Sequence, residues 1–446
     1  MIHGPLLKKL LVFALPLALS GMLQQLFNSA DIAVVGRFAG SSAQAAVGCN
    51  SSVITLLIGL FTGLTIGANA EIAACIGRED HAAVGRAVHT VIVMALVSGV
   101  FLLGFGILIA KPLLILVNTP DDILDDAVLY LRIYFAGVPF VMLYNFGAAV
   151  LRSRGDTRRP TVALVLAGVL NLGLNLLTVI VFGMGVAGVA VATSISNLFS
   201  GVLVIVFLLR EEAPFTLSPK ALCVDRRSLM QVLRIGLPAG IQSVVFPLSN
   251  VCIQSAINTL GSAVVAGSAD ALTLELYSYY ILNAFVQTAV TFTAQNYAAG
   301  QYDRCRRVQW LCMAGAVVSV LCTGGLLFAL RNPLMSLFTT DPDVAQAGIV
   351  RMRYVLILQF MANSYEISAS SLRGIGVSLL PSLITVVGTC LLRIVWVYAV
   401  FPLRPTFEFL LLVYPISWLI TGSSMITALL LVWRRRLPKG DRPHGA

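Results

Sequence analysis

Twelve long apolar stretches, separated by short polar connections, occupy almost the whole sequence. They lie near residues 10–35, 47–75, 88–110, 126–150, 161–182, 187–209, 230–257, 265–298, 308–330, 345–371, 381–402 and 408–433. About 20 apolar residues are enough to cross the hydrocarbon core of a bilayer as a helix. Within lipid the backbone satisfies its own polar groups only as helices or a closed barrel, and runs of this length fit helices. The sequence therefore predicts an all-α polytopic membrane protein with twelve transmembrane helices. Only 11% of its 446 residues are charged and 58% are hydrophobic, against about 25% charged in an ordinary soluble protein. That balance excludes a soluble enzyme and a disordered chain alike.

The formal charge of +10 would suggest nucleic acid in a soluble protein, but in a membrane protein the placement of charge matters more than its sum. Of the 30 Lys and Arg residues, 22 fall in alternate connections, from Lys8 and Lys9 through Arg152–Arg159 to the tail beginning at Arg434. The intervening connections hold four: Arg37, Lys111, Arg331 and Arg404. Basic residues collect on the cytoplasmic side, so both termini are expected there and no nucleic-acid partner is. Lys8 and Lys9 precede an apolar stretch in the manner of a signal peptide, yet that stretch continues past residue 30, which reads as a retained first span. The eight cysteines include no C-x-x-C pair, and the four histidines (His3, His81, His89 and His444) form no H-E-x-x-H pattern. Neither a disulfide frame nor a metal or cofactor site is expected, and a membrane-embedded enzyme finds no converging nucleophile and base.

The chain is also duplicated. Slid against itself until Pro112 falls on Pro333, it brings Arg132 onto Arg353, Tyr144 onto Tyr365, Leu151-Arg152 onto Leu372-Arg373, Gly155 onto Gly376 and Pro160 onto Pro381. The string L-R-x-x-G-x-x-x-x-P thus occurs twice. A slightly larger shift places Pro16 on Pro238 and Asn28 on Asn250. Two lobes are expected, residues 1–220 with a polar, proline-punctuated cytoplasmic linker and residues 221–446. Six spans per lobe give both the same orientation, a parallel repeat of the kind used by rocking transporters with a site near the midplane.

Candidate site residues follow from cost. A charge at the centre of a membrane helix costs roughly 2.5–3.5 kcal/mol on insertion scales, so each intramembrane carboxylate is a functional candidate. Asp31, Glu275 and Glu366 are the clearest. Gln24, Asn28 and Asp31 share one helix face, as do Asn171 with Asn175 and Thr193 with Asn197. This set offers one carboxylate and several neutral oxygens, suited to a sodium ion or a proton. In the second half, Asn250 and Gln254, Glu275 and Tyr279, and Gln359, Asn363 and Glu366 form further polar stripes. With Gln24 and Asn28 they are the candidates for a substrate cavity. Glu366 could instead pair with Arg353 or Arg393, and Glu275 with an arginine near a helix end. Pro16 and Pro238 are candidate hinges within the first span of each half.

Several of these stretches resemble one family. Asp31-Ile-Ala-Val-Val-Gly36-Arg37, the two L-R-x-x-G-x-x-x-x-P strings, Gln295-Asn296-Tyr-Ala-Ala-Gly300, and Gly185-Val-Ala-Gly188 followed by Ala192-Thr193 are similar to the multidrug and toxic compound extrusion family of cation-coupled antiporters. The likeness runs over nearly the whole chain. It implies two six-helix lobes, a V-shaped central cavity, and export of small organic cations in exchange for sodium ions or protons. A monomer is expected, and short loops without a cleaved signal suit a bacterial plasma membrane. In that family an Asp in the first span corresponds to Asp31, and an Asn and an Asp four residues apart in the fifth precede a Thr in the sixth. Asn171 and Thr193 match, whereas Asn175 stands where many members carry the second acid. The pocket here has one formal negative charge, neutralised by a single sodium ion or proton. A flippase for a lipid-linked precursor is the alternative on a related scaffold. It would want a strongly basic cavity, and most basic residues here are assigned to loops.

Overall fold

A computed structural model describes residues 1–117 and 119–437, without the side chains of residues 32, 33, 41, 44 and 52; His444 lies outside the described residues. Among those described, twelve long helices follow in order: α1 (Leu6–Phe38), α2 (Ser41–Gly77), α3 (His81–Leu116), α4 (Asp121–Arg154), α5 (Arg158–Val181), α6 (Gly185–Leu209), α7 (Arg226–Asn258), α8 (Ser262–Ala298), α9 (Tyr302–Ala329), α10 (Pro342–Gly374), α11 (Leu379–Leu403) and α12 (Phe407–Arg436). A short helix, Arg331–Phe338, joins α9 to α10. No strand occurs among the described residues. Eleven of the twelve are long and apolar enough to cross a membrane. The exception is α8, whose length of 37 residues equals that of its repeat partner α2 but which carries Asp270 and Glu275 along its course.

The repeated L-R-x-x-G string is a helix stop. Gly155 ends α4 at φ +108° and Gly376 ends α10 at φ +79°, a left-handed conformation that costs a side-chain-bearing residue about 1–2 kcal/mol and glycine almost nothing. In each case the glycine N–H donates to the carbonyl of the arginine (Arg152 or Arg373, both 2.9 Å). The next N–H reaches the carbonyl of the leucine (Leu151 at 3.0 Å, Leu372 at 2.9 Å). These paired bonds satisfy carbonyls that the helix end would otherwise leave free. Tyr144 then donates to the Pro160 carbonyl at 3.1 Å, tying α4 to the start of α5.

Two compact units result. One comprises Leu19–Gly240, the other Met1–Ala18 together with the chain from Ile241 on. The borders at Ala18 and Gly240 are separated by the same shift that pairs Pro16 with Pro238, so α1 and α7 change unit at equivalent points. In the unit Leu19–Gly240, α4 packs on α2, α3 and α6; in the other, α10 packs on α8, α9 and α12 in the same scheme. The first half of α7 is held to α2 by glycines. A Cβ on Gly63 would meet the backbone of Gly240, and one on Gly67 the backbone of Val232 and Gly236. Such reciprocal small-x-x-x-small contacts let helix backbones approach closely where lipid offers no hydrophobic drive for association.

Gly376→Ala is expected to lower the stability of the purified protein by about 1 kcal/mol. Gly325→Ala, at a helical position facing open space, leaves it unchanged or slightly raised. Thermal unfolding midpoints in detergent check this; an equal drop in both would reject the capping role.

Candidate functional site

The unit Leu19–Gly240 contains a cleft lined by Gln24, Phe27, Asn28 and Asp31 of α1, Asn171 of α5, and Thr193 and Asn197 of α6, among others. Three helices supply it because each carries a polar face toward the same gap. Phe27 sets the spacing of α1 from α5: its ring occupies the place a Cβ on Gly168 would take. Beyond Asn175, α5 changes to π-helical hydrogen bonding over Leu176–Val181, a local widening common at functional sites. Thr178 holds that turn by donating toward the carbonyls of Leu174 (2.9 Å) and Gly188 (3.0 Å).

Asn175 is fully buried and its Nδ2 donates to Asp31 Oδ1 at 2.5 Å. One amide atom of Asn171 lies 2.7 Å from Asp31 Oδ1 and 3.1 Å from Oδ2. With Nδ2 in that place, Asn171 donates to the carboxylate. With Oδ1 there, it accepts from Asn175 Nδ2 at 3.2 Å and donates to Thr193 Oγ1 at 3.4 Å. The first orientation leaves no amide oxygen facing the carboxylate. Asn175 Oδ1 is itself buried without a hydrogen-bond partner. Among the described residues Asp31 makes no ion pair.

The candidates in the other unit are placed differently. Glu275 is 5% exposed and is gripped through both oxygens by Arg351, Nε to Oε1 at 2.8 Å and Nη2 to Oε2 at 2.9 Å. Its carboxylate is therefore taken up by a partner within the chain, and Arg351 also donates to Ser268 at 2.9 Å. Glu366 pairs with neither Arg353 nor Arg393. It hydrogen-bonds Tyr365, and the positive charge acting on it is that of Arg373, whose Nη2 donates to Gln242 Oε1 at 2.7 Å. Asn363 is fully buried with both amide atoms unpartnered, and Gln359 Oε1 is likewise unpartnered. Tyr279 is partly exposed and meets Tyr280 edge to face. Gln254 donates to Asn258 at 3.0 Å, while Asn250 accepts from Arg393 at 2.8 Å. Pro16 and Pro238 lie inside α1 and α7, each two residues before the point where its helix changes unit.

Phe27, Gly168, Ser196 and Ser200 also belong to the cleft and were not marked by the polar-face reading. The two serines carried a signal, since Ser196 and Ser200 repeat at a helical spacing of four beside Thr193 and Asn197. Phe27 and Gly168 carried none, because a ring filling a glycine gap looks in sequence like any packing pair.

The MatE family model matches the chain twice, over residues 16–177 and 238–399. Both ends of the second match are displaced from those of the first by the shift that pairs Pro16 with Pro238. The probable multidrug resistance protein YoeA of Bacillus subtilis is 28% identical over 391 residues, covering 84% of this chain and 82% of that protein. The probable multidrug resistance protein NorM of Thermotoga maritima is 28% identical over 389 residues, covering 85% and 82%. The crystal structure of MATE in complex with MaL6 has the same fold, with a TM-score of 0.89 at 21% identity over 97% of each chain.

Glu275→Gln leaves Arg351 buried without its counter-charge and is expected to destabilise the protein by about 3–5 kcal/mol. The double variant Glu275→Leu with Arg351→Met should recover most of that loss. A double-mutant cycle on unfolding midpoints checks it; additive single effects would show that the two side chains do not act as a pair.

Proposed function

The chain belongs to the MatE family, and on that premise we propose that it is a secondary antiporter exporting small organic cations across a bacterial cytoplasmic membrane in exchange for sodium ions or protons. The observation that carries the proposal is the carboxylate of Asp31, set in a polar cleft with hydrogen-bond donors but no counter-charge from the described residues. A charge left this way inside a membrane protein is costly, and binding a mobile cation relieves the cost.

In this reading the coupling ion sits against Asp31, with Asn171, Asn175 and Thr193 as neutral partners. One monovalent ion cancels the one formal charge. Gln24 and Asn28, which line the cleft, are proposed to contact the substrate, and so are Asn250, Gln254, Tyr279, Gln359, Asn363 and Glu366. Glu275 is assigned to the ion pair with Arg351 and serves the scaffold.

Export requires that ion and substrate favour different states, since a ligand with equal affinity for two states shifts neither. Pro16 and Pro238 supply the bend. Each removes a backbone donor within its helix, and the helix changes unit two residues later. A change at Asp31 on α1 is thereby passed along a helix that both units share. The protein works as a monomer, and the alternation of basic loops supports placing both termini in the cytoplasm.

Asp31→Asn is expected to reduce ion-driven efflux to the level of protein-free vesicles while leaving the protein folded. The measurement is uptake of a fluorescent organic cation into inverted proteoliposomes under an imposed sodium or proton gradient. Undiminished accumulation by the variant would reject the assignment.

A further inference from the structure

The duplication makes each residue of the Asp31 cleft answerable to a counterpart in the other unit. At the shift shared by both family matches, Gln24 corresponds to Phe246, Asn28 to Asn250, Asp31 to Ile253 and Asn171 to Arg393. The acid is lost and a base is gained. Three of these four counterparts meet: Arg393 Nη1 donates to Asn250 Oδ1 at 2.8 Å, and its guanidinium carbon lies 5.2 Å from the Phe246 ring centre. The ring of Tyr414 lies against the same guanidinium at 4.7 Å.

Arg393 is 2% exposed and forms no ion pair among the described residues. Its Nε is buried without an acceptor. Tyr414 also faces Arg351 at 5.6 Å, and Glu275 is held by Arg351 through both oxygens. Arg351 and Arg393 thus share the ring of Tyr414 with one carboxylate between them; the next carboxylate, Glu366, acts with Arg393 on Tyr365 but has Arg373 as its own counter-charge. Aromatic faces offset part of the desolvation of Arg393 but bring no negative charge. With Nη1 taken by Asn250, Nε is the guanidinium nitrogen left without an acceptor. The backbone is shaped around it: Arg393 sits on one turn of α-helix, Leu392–Val395, between π-helical segments Val386–Leu391 and Trp396–Val400. Asn250, its hydrogen-bond partner, is exposed, so the group lies one side chain from the surface.

We infer that Arg393 is the centre of an anion-binding site, the repeat image of the Asp31 cleft with its charge reversed, which takes one monovalent anion at the guanidinium edge. The anion is either inorganic or the carboxylate of an amphoteric substrate; both satisfy the free Nε, and a planar carboxylate suits the fork of an arginine edge.

The test is the unfolding temperature of the purified full-length protein as chloride or benzoate replaces methanesulfonate at constant sodium and ionic strength. The wild type should show saturable stabilisation. Stabilisation by chloride alone identifies an inorganic anion, and by benzoate alone a substrate carboxylate. Arg393→Gln should abolish the response or raise the half-saturating concentration by about tenfold to a hundredfold, the loss of one charge-assisted hydrogen bond. Asn250→Asp supplies an internal carboxylate, and should remove the anion dependence without lowering stability in methanesulfonate. It keeps the test open if Arg393→Gln does not fold. No saturable response of the wild type to either anion, or an unchanged response in both variants, overturns the inference.

Discussion

An ionised side chain inside a membrane needs a partner, and whether the chain itself supplies that partner separates scaffold from site. Water cannot be counted on there, and the interior screens charge poorly, so an uncompensated group is costly. Glu275 has its partner in Arg351, and Glu71 has Arg78 at 3.7 Å. Among the described residues, Asp31 has amides and a hydroxyl around it but no positive charge, and Arg393 has rings and an amide but no negative one. In the proposed reading these two groups take their partners from outside the chain.

The duplication explains why the two lie where they do. Helix packing, the L-R-x-x-G stops and the points where α1 and α7 change unit all recur in the second half at nearly the same shift. The charged residues do not: Asp31 answers to Ile253, Arg393 to Asn171, Glu366 to Asn145. A scaffold copied with its packing, but with its charges redistributed, can hold unlike ligands in equivalent places. The family match, which falls on both halves in the same register, follows the scaffold.

Much of this was legible beforehand. Long apolar runs announce helices because lipid forbids the alternatives, and the polar faces of α1, α5 and α6 met in one cleft because helical spacing determines which residues share a side. Other features depend on geometry that spacing does not encode. Which arginine reaches Glu275 is decided by helix rotation and by the π-helical and 3-10 turns of α10 over Met352–Leu356 and Leu358–Ala362; Arg351 reaches it. The unit borders at Ala18 and Gly240 were hidden because a helix that changes neighbours halfway keeps one unbroken apolar pattern. The role of glycine in L-R-x-x-G was visible as a repeat, and only the positive φ angles show it to be a helix stop.

The central claim is that the Asp31 carboxylate binds the ion that drives the protein. Its most direct measurement is the carbon-13 resonance of that carboxyl group in aspartate-labelled protein, assigned by its absence in Asp31→Asn and followed against pH with and without sodium. The account predicts that the resonance moves on protonation, on sodium binding, or on both, within the range where transport operates. A carboxyl signal that responds to neither across that range would contradict it.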